Sequence, residues 1–467
     1  MRNQDLPLAL RIGALLCLPL AGLAQDLTPH QRLTRDIYRE LVEIRTVHPD
    51  GDNTAAARAM ARRLLDAGFD PKDVEVIEPA PLKGNLVARY RGTGEMKPIL
   101  LLAHIDVVEA KKEDWSDGLD PFKLTERDGY FFGRGVIDDK AMAAIFVANL
   151  IRYKREGFRP KRDLIVALTA DEEGGSHNGV AWLLKNRRDA IDAELGLNEG
   201  GGGQYRGGKP YLHGVQVSEK VPKSYYFEAV NPGGHSSVPE KDNAIYDLAA
   251  ALDRLSRLQL PTRMNYVMRL NAAKLTEIES GEMSKALAAV ARGDASEEQV
   301  RLVSTVPRYN AQLRTTCVAT MLEGGHAANA LPQKARATVT CRLLPGEKPE
   351  FVQEELQRVA GERVKVIATR SFFNPSDPSD PDSPVMKTIR EVSESMWPGV
   401  AVVPVMSTGA TDGSRLRNAE IPVYGVSGLF VEFGENRLHG RDERLGVKSF
   451  YEGSEFLYRL VKALGSS

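Results

Sequence analysis

The stretch Pro98-Ile-Leu-Leu-Leu-Ala103 is a continuous apolar run with the length of one strand. A run without alternation is typical of a strand buried on both faces, as in a parallel sheet covered by helices. A second run, Asp163-Leu-Ile-Val-Ala-Leu-Thr169, follows a predicted helix at 138–154, and another helix is predicted at 180–188. This alternation of strands and helices predicts an α/β domain with a mostly parallel sheet.

The pattern changes near Val215. Residues 223–230 alternate as a half-exposed strand does, and the strands and helices that follow predict an inserted α+β domain. A helical stretch at 259–313 is expected within that domain. After a Pro/Asp/Ser loop at 374–384, helix–strand alternation resumes. The predicted organisation is one α/β domain in two parts with an inserted domain between them: residues 25–214, 215–370 and 371–467.

The N-terminus has the features of an export signal. Arg2 and Arg11 precede an apolar run at 12–23, and Gly22-Leu-Ala24 supplies small residues for cleavage. The run is shorter than the roughly 20 residues of a membrane span, so no stable span is expected after cleavage. We predict a signal peptide at 1–24 and an exported protein, periplasmic or secreted; the alternative is an uncleaved anchor.

Charge and cysteine content exclude several classes of protein. Lys and Arg total 62 and Asp and Glu total 63, and this balance gives no reason to expect a nucleic-acid partner. There are three cysteines and no Cys-x-x-Cys pair, which excludes a thiolate zinc cluster. The sequence leaves open whether Cys317 and Cys341 form a disulfide. Gly201-Gly-Gly203 lacks the Lys and Ser/Thr of a phosphate loop and is expected to be a flexible loop.

Polar residues follow the predicted strands where these strands end. His104 and Asp106 follow the first strand, Glu172 and Glu173 the second, and Glu199 a short apolar run. Because sites in open α/β sheets form at the carboxyl ends of strands, we expect these side chains to converge. Carboxylates packed together repel one another, and bound cations remove that cost. Imidazole and carboxylate ligands without thiolates favour zinc, cobalt or manganese, and so many carboxylates fit two metal ions about 3.5–4 Å apart.

Six short motifs occur in an order that matches one known family. The chain resembles the dinuclear zinc metallopeptidases and aminoacylases, which include glutamate carboxypeptidase, carboxypeptidase S, aminoacylase, carnosinase and succinyl-diaminopimelate desuccinylase. The resemblance spans about residues 30–465 and implies that the inserted domain is a lid of the dimerisation type. The motifs are Leu102-Ala-His-Ile-Asp-Val107, Gly133-Arg-Gly-Val-Ile-Asp-Asp-Lys140, Thr169-Ala-Asp-Glu-Glu-Gly174, Asn198-Glu-Gly200, Gly233-Gly-His-Ser-Ser237 and Leu438-His-Gly440.

The resemblance implies the roles of individual residues in the α/β domain. Asp106 would accept the second ring proton of His104 and so fix its tautomer. Glu172 would be the general base, taking a proton from water and later giving it to the leaving nitrogen. The implied metal ligands are His104 and Glu199 for one zinc ion, Glu173 and His439 for the other, and Asp138 as the bridge.

The resemblance also implies substrate-binding residues. His235 would stabilise the oxyanion, and in dimeric relatives this histidine reaches across from the other subunit. Asn329, Arg342 and the loop at Gly409 would hold the substrate, with Arg342 clamping a carboxylate. A homodimer through the inserted domain is therefore expected. The ordinary alternatives are a surface histidine for His439 and a surface ion pair for Arg342.

These expectations combine into one functional hypothesis. The chain is expected to be an exported dinuclear zinc hydrolase that cleaves a peptide or N-acyl amide bond next to a free carboxylate, as a carboxypeptidase or dipeptidase does. Its substrate would be a small peptide or an N-acyl amino acid. The alternative enzyme is an N-acyl-amino-acid deacylase of the aminoacylase or desuccinylase type. Outside enzymes, the alternative is a non-catalytic relative that binds metal or peptide.

Overall fold

The computed structural model describes residues 27–277, 279–370, 373–435 and 437–466, so the predicted signal peptide at 1–24 lies outside the described residues. The strands, in chain order, are β1 (Val74–Ile77), β2 (Asn85–Tyr90), β3 (Met96–His104), β4 (Thr125–Arg127), β5 (Tyr130–Phe132), β6 (Arg162–Thr169), β7 (Leu195–Asn198), β8 (Gly203–Arg206), β9 (Lys209–Glu219), β10 (Val221–Val230), β11 (Gly234–His235), β12 (Thr316–Gly324), β13 (Ala330–Leu331), β14 (Lys334–Leu343), β15 (Val364–Ala368), β16 (Ala401–Ser407), β17 (Val423–Gly425), β18 (Phe430–Glu432) and β19 (Arg444–Gly446).

The helices alternate with the strands in the two outer parts of the chain and cluster in its middle. They are α1 (Pro29–Glu43), α2 (Asn53–Asp66), α3 (Lys140–Glu156), α4 (Gly179–Asn186), α5 (Arg188–Ile191), α6 (Ala244–Ser256), α7 (Tyr266–Leu275), α8 (Gly281–Arg292), α9 (Glu297–Ser304), α10 (Pro307–Leu313), α11 (Pro349–Ala360), α12 (Pro384–Met396), α13 (Gly413–Asn418) and α14 (Val447–Ser466). Among the helices that the structure describes, none is both long enough and apolar enough to cross a membrane.

The largest sheet has its parallel strands at the centre. Its order is β1-β2-β6-β3-β7-β17-β9-β8-β18, with β16 beside β9, and β3 pairs in parallel with both β6 and β7. Residues 99–104 are all buried because helices cover both faces of the sheet. Alternate residues of β3 pack against α1, α3 and α14 on one face and against α4 and α13 on the other. This confirms the predicted α/β class with a mostly parallel sheet.

The inserted domain consists of β10, β12, β14 and β15 with α6 and α11. Its sheet has the order β12-β14-β10-β15 with antiparallel pairing, and the two helices join the core formed by its buried face. Cys317 and Cys341 pair across β12 and β14 and form a disulfide, which decides the possibility that the sequence left open.

Helices α7–α10 do not pack in the inserted domain, although the stretch 259–313 was expected there. Their apolar residues, including Val267, Met268, Leu287 and Val290, join the main core of the α/β domain. Helix α7 contacts β16 of the large sheet. The chain therefore crosses between the inserted domain and the α/β domain within residues 259–313, which the sequence pattern assigned wholly to the inserted domain.

The first crossing lies at Lys220. Strand β9 runs to Glu219 within the large sheet, beyond the expected boundary at 214/215, and β10 of the inserted domain begins at Val221. The buried Lys220 ammonium donates to the main-chain oxygens of Ala311 (2.8 Å) and Arg314 (2.9 Å). Lys220 thereby links the crossing between β9 and β10 to the second crossing, between α10 and β12.

Candidate metal centre

The carboxyl ends of three neighbouring strands bring the predicted ligands together. His104 is the last residue of β3 and pairs in register with Thr169 at the end of β6. Glu172 and Glu173 follow in the turn after β6, and Glu199 follows directly on β7. Two further predicted ligands come from outside these strands: Asp138 precedes α3, and His439 lies in the loop before β19.

Asp138 lies between the two histidines. Its Oδ1 is 2.9 Å from Nε2 of His104, and its Oδ2 is 3.1 Å from Nε2 of His439. Nε2 of His439 is also 2.8 Å from Oε1 of Glu173, and Nε2 of His104 is 3.8 Å from Oε1 of Glu199. The arrangement has two lobes that share one carboxylate: His104 and Glu199 would hold one metal ion, Glu173 and His439 would hold another, and Asp138 lies between the two lobes.

The donor set fits divalent metal ions on chemical grounds. His104, Asp138 and Glu173 offer ligand atoms within 4.8 Å of one another, and so do His104, Glu172 and Glu199. The donors are imidazole nitrogens and carboxylate oxygens, which suit zinc, cobalt and manganese. In addition, Oε1 of Glu172 is buried without a hydrogen-bond partner.

Several carboxyls in this cluster are buried without enough positive charge nearby to balance them, and their pKa values are therefore raised. The pKa of Glu199 is raised well above its ordinary value by burial and by the negative charge of Asp138. The pKa of Glu172 is raised well above its ordinary value by burial and by Glu199. Burial also opposes ionisation of Asp138, but hydrogen bonds from His104 and His439 outweigh it and lower its pKa. Two imidazoles thus balance only part of the negative charge, and bound cations would balance the rest.

Asp106 makes contacts beyond the predicted one, and its role toward the second ring proton of His104 stays a prediction. Nδ1 of His104 is 3.0 Å from the main-chain oxygen of Asp106 and 3.6 Å from its carboxylate, so the main-chain oxygen is the closer acceptor. The carboxylate also accepts the main-chain N–H groups of Glu172 (3.1 Å) and Glu173 (2.9 Å). Because two N–H groups of the turn point at this buried carboxylate, Asp106 fixes the turn that carries Glu172 and Glu173.

Comparison with known proteins agrees with this geometry. The sequence profile of Peptidase family M20/M25/M40 matches residues 100–463. The chain belongs to this family. The finding confirms the predicted family and the enzyme class: the chain is an M20 hydrolase of the group that acts on peptide or amide bonds.

Relatives with several named activities resemble this M20 chain. A probable carboxypeptidase S-like 2 from Dictyostelium discoideum is 29% identical over 399 residues, which cover 82% of this chain and 76% of the relative. The human N-fatty-acyl-amino acid synthase/hydrolase PM20D1 is 28% identical over 382 residues (79% and 74%). Human aminoacylase-1 is 26% identical over 441 residues (92% and 95%).

Solved structures share the M20 fold at low sequence identity. The M20 metallo-carboxypeptidase Sso-CP2 from Sulfolobus solfataricus has a TM-score of 0.70 at 17% identity, covering 92% of this chain and 99% of that one. Human carnosine dipeptidase 1 has a TM-score of 0.65 at 14% identity, covering 93% and 96%. A Bacillus subtilis neighbour is described as a dinuclear metal-binding M20 peptidase, with a TM-score of 0.60 at 14% identity, covering 93% and 98%.

A buried ion pair that sequence analysis missed supports the M20 ligand loops. Nη1 of Arg134 donates to Oε2 of Glu443 at 2.7 Å, and Nη2 donates to the main-chain oxygen of His439 at 3.1 Å. Glu443 also accepts the main-chain N–H groups of Gly135 (3.2 Å) and Ile137 (2.9 Å). The pair therefore joins the loop that leads to Asp138 with the loop that carries His439. Arg134 lies inside a quoted motif, whereas Glu443 lies among other charged residues and gave no signal.

Replacing Glu443 with glutamine is expected to weaken zinc binding by about 10- to 100-fold, the usual effect of losing a residue that supports metal ligands. The substitution leaves the buried Arg134 guanidinium without its charged partner, so both ligand loops lose their anchor. Competition with a zinc-binding dye measures the effect. Glu347→Gln is the matched control, since Glu347 is a buried glutamate that bonds with Thr315 and Arg263, away from the cluster. Unchanged zinc affinity in Glu443→Gln would show that the pair does not support the ligands.

The four remaining predicted residues lie outside this cluster. His235 is exposed in β11, with Nδ1 2.7 Å from Oγ of Ser237, and the oxygen of Asn329 accepts from the neighbouring Ser236 N–H (3.0 Å). Arg342 lies in β14, paired with Pro222 and Thr316 near Lys220, and Gly409 is exposed and donates to Oγ of Ser407 (3.0 Å). Within the described ranges no hydrogen bond or ion pair joins these four to the ligand cluster, so their roles stay predictions.

Proposed function

We propose that this chain is an exported dinuclear zinc hydrolase that cleaves a peptide or N-acyl amide bond next to a free carboxylate. One observation carries the proposal. Oε1 of Glu172 is buried and has no hydrogen-bond partner, and it lies beside a two-lobed cluster in which Asp138 links His104 and His439. A base next to a paired metal site is the arrangement that amide hydrolysis by water requires.

The chain's own residues would perform the proton transfers. Zinc, when bound, supplies a Lewis acid for the carbonyl oxygen and lowers the pKa of water. Glu172 takes a proton from the attacking water and returns it to the leaving amide nitrogen. Burial and the charge of Glu199 raise the pKa of Glu172, which makes its carboxylate a stronger base. The bonds from the turn to Asp106 hold that carboxylate in place.

A free carboxylate beside the amide is the feature that the candidate substrates share. The names of the relatives describe carboxypeptidase-like and N-acyl-amino-acid activities. We assign recognition of the carboxylate to Arg342, with Asn329 and the Gly409 loop as further substrate contacts. A guanidinium can donate two parallel N–H bonds to the two oxygens of a carboxylate, and it stays charged when partly buried.

A paired substrate screen tests the proposal. The purified chain is first assayed for bound metal. It is then assayed for hydrolysis of dipeptides and N-acyl amino acids with and without chelator, and each substrate is compared with its C-terminal amide. We expect about two zinc ions per chain, turnover of the free acids, strong loss with their amides, and loss with chelator. Equal turnover of acids and amides would contradict carboxylate recognition, and turnover that survives complete metal removal would contradict the metal mechanism.

Export has support from the inserted domain. Disulfides form and persist in oxidising compartments and are rare in the cytoplasm. The Cys317–Cys341 bond joins two strands of the sheet, so an oxidising location would preserve it. Fractionation of cells that express the full chain is expected to find the protein outside the cytoplasm and shortened by the 24 residues of the predicted signal.

We also propose a homodimer through the inserted domain. Strand β12 is an edge of its sheet, and Val318, Met321 and Leu322 are 60–68% exposed on it, with Tyr246 of α6 64% exposed. An exposed apolar edge strand is a ready surface for pairing with a second chain. Such pairing would allow His235 of one chain to serve the other.

Light scattering after size exclusion is expected to give about twice the chain mass of 51.3 kDa, less the signal peptides. Leu322→Lys is expected to shift the mass to that of one chain, because a charge on the paired edge opposes association. Leu65→Lys, at a partly exposed leucine of α2, is the control. A single-chain mass for the unsubstituted protein at all concentrations would contradict the dimer.

A further inference from the structure

The turn that carries Glu172 and Glu173 follows β6, a strand with a neighbour on each side. In the large sheet β6 lies between β2 and β3. Because β3 is parallel to β6, Asp106 just beyond the end of β3 reaches the turn from that side. Strand β2 is antiparallel to β6, so the first residues of β2 lie at the same edge of the sheet. The turn is therefore accessible to supporting contacts from both neighbours.

Two residues at the beginning of β2 contact the turn from the other side. Oδ1 of Asn85, the first residue of β2, accepts the main-chain N–H of Ala170 at 3.0 Å. Nζ of Lys83 donates to Oδ1 of Asp171 at 2.8 Å. The side chain of Lys83 is 7% exposed and that of Asp171 is fully buried. A buried ion pair thus stands directly before Glu172 in the chain.

The chain folds closely around the carboxylate of Asp171. Its Oδ2 accepts the main-chain N–H of His177 at 3.2 Å, and its main-chain oxygen accepts from Nδ2 of Asn178 at 3.2 Å. A Cβ at Gly175 would lie 2.2 Å from Oδ2 of Asp171. Asp171 itself has a φ of 56°, in the left-handed region that a residue with a side chain keeps only where surrounding contacts hold it. The conformation of the turn therefore depends on this carboxylate.

Lys83 is the principal charge partner of Asp171. Nδ1 of His48 is 4.0 Å from Oδ1 of Asp171, and the His48 side chain is 44% exposed, so the buried ammonium at 2.8 Å is the closer cation. Oε1 of Glu172 has no hydrogen-bond partner among the described residues. The direction of the Glu172 carboxylate consequently depends on the turn that carries it.

We propose that Lys83 is a positioning residue for amide hydrolysis: through Asp171 it holds the turn that directs Glu172 toward the attacking water and Glu173 toward the ligand cluster. The inference rests on the proposed function, in which Glu172 is the base. Asp106 holds the main chain of the turn from the β3 side, and Lys83 holds the side chain of Asp171 from the β2 side. Lys83 acts through Asp171 and not on the substrate itself.

Two variants test this role in the zinc-loaded full chain. Lys83→Met keeps a similar length but cannot donate to Asp171, and it leaves the Asp171 carboxylate without its ammonium partner. The double variant Lys83→Met/Asp171→Asn removes both charges, so it avoids the cost of an unpaired buried carboxylate if the single variant fails to fold. In both variants kcat is expected to fall about 10- to 100-fold with KM within about twofold, the scale on which residues that support a metal site act.

Arg162→Met is the matched control. Arg162 is a buried cation at the opposite end of β6, where its Nη1 pairs with Oε2 of Glu194 at 2.9 Å. This variant is expected to lower the stability of the protein and to leave kcat unchanged. If Lys83 had only a structural role, its variants would resemble the control. An unchanged kcat in the folded, zinc-loaded Lys83 variants would therefore overturn the inference.

Hydrogen exchange of the purified full chain separates failure of this inference from failure of the proposed function. Both Lys83 variants are expected to speed amide exchange in residues 170–178 and to leave exchange in α8 unchanged, because the loss of support is local. Absence of all amide hydrolysis by the unsubstituted protein, together with this local change, would refute the proposed function and keep the positioning role of Lys83. Exchange that rises equally throughout the protein, or that does not rise in the turn, would overturn the inference whether or not the chain hydrolyses amides.

Discussion

Replacing Glu172 with glutamine is expected to lower kcat by about 10³-fold, within the usual contribution of general acid–base catalysis. Glutamine has nearly the same shape, but its amide cannot take a proton from water or return one to the leaving nitrogen. Because Asp106 holds the turn through the main-chain N–H groups of residues 172 and 173, the substitution leaves that support intact. The metal content is therefore expected to stay at its original value.

Metal analysis decides between two roles for Glu172. Its carboxylate lies within reach of His104 and Glu199, so the geometry also allows it to act as a ligand. If Glu172 is the base, Glu172→Gln loses kcat and retains both ions. If Glu172 is a ligand, the variant loses an ion as well. Glu282→Gln makes the same chemical change on an exposed glutamate of α8 and is expected to leave activity and metal content unchanged. Normal activity in Glu172→Gln would refute the assigned role.

The residues at the strand ends were predictable from sequence because their positions depend on local pattern. A buried parallel strand appears as an unbroken apolar run, and the polar residue that ends it must lie at the edge of the sheet. Thus the sequence alone predicts one site for His104 after β3 and Glu199 after β7, and the described structure brings them together. His439 needed the family resemblance, because a histidine in a charged loop carries no pattern of its own.

The features that were missed depend on contacts between distant parts of the chain. The apolar faces of α7–α10 predict helices but do not say which core receives them, and they pack on the α/β domain instead of the insertion. Glu443 pairs with Arg134, which lies about 300 residues away in sequence, in the loop that leads to Asp138. No local spacing predicts such a pair. The contact of Asp106 with the turn at Glu172 and Glu173 has the same origin: its carboxylate bonds a turn that belongs to another strand end.

Replacing Glu199 with glutamine is expected to have opposite effects on the metal-free and the zinc-loaded protein. The zinc-loaded enzyme loses a ligand and with it metal affinity and turnover. The metal-free protein loses a buried negative charge that burial and Asp138 disfavour. We expect Glu199→Gln to raise the free energy of unfolding of the metal-free protein at pH 8 by about 1–3 kcal/mol, the scale on which neutral residues replace buried charges.

The pH dependence of that difference follows from the raised pKa of Glu199. A carboxyl whose pKa is raised by folding contributes full stability below its unfolded pKa, and this contribution is lost as the pH rises through its folded pKa. The advantage of Glu199→Gln should therefore grow above about pH 5, by at most about 1.4 kcal/mol per pH unit. Other buried groups titrate as well, since burial lowers the pKa of Lys140 to about 7 and that of His213 to about 3. Groups that Glu199 does not influence contribute equally to both proteins and cancel in the difference.

Urea unfolding of both proteins in chelator at pH 5, 6.5 and 8, repeated with zinc, measures these effects. Zinc binds best when its ligands are deprotonated, so it should stabilise the unsubstituted protein most at pH 8 and Glu199→Gln much less. The order of stability of the two proteins is thus expected to reverse when zinc is added. Glu282→Gln, which changes an exposed charge, should follow the unsubstituted protein throughout. If Glu199→Gln were less stable than the unsubstituted protein in chelator at pH 8, the negative charge of the cluster would not be what makes the metal ions necessary.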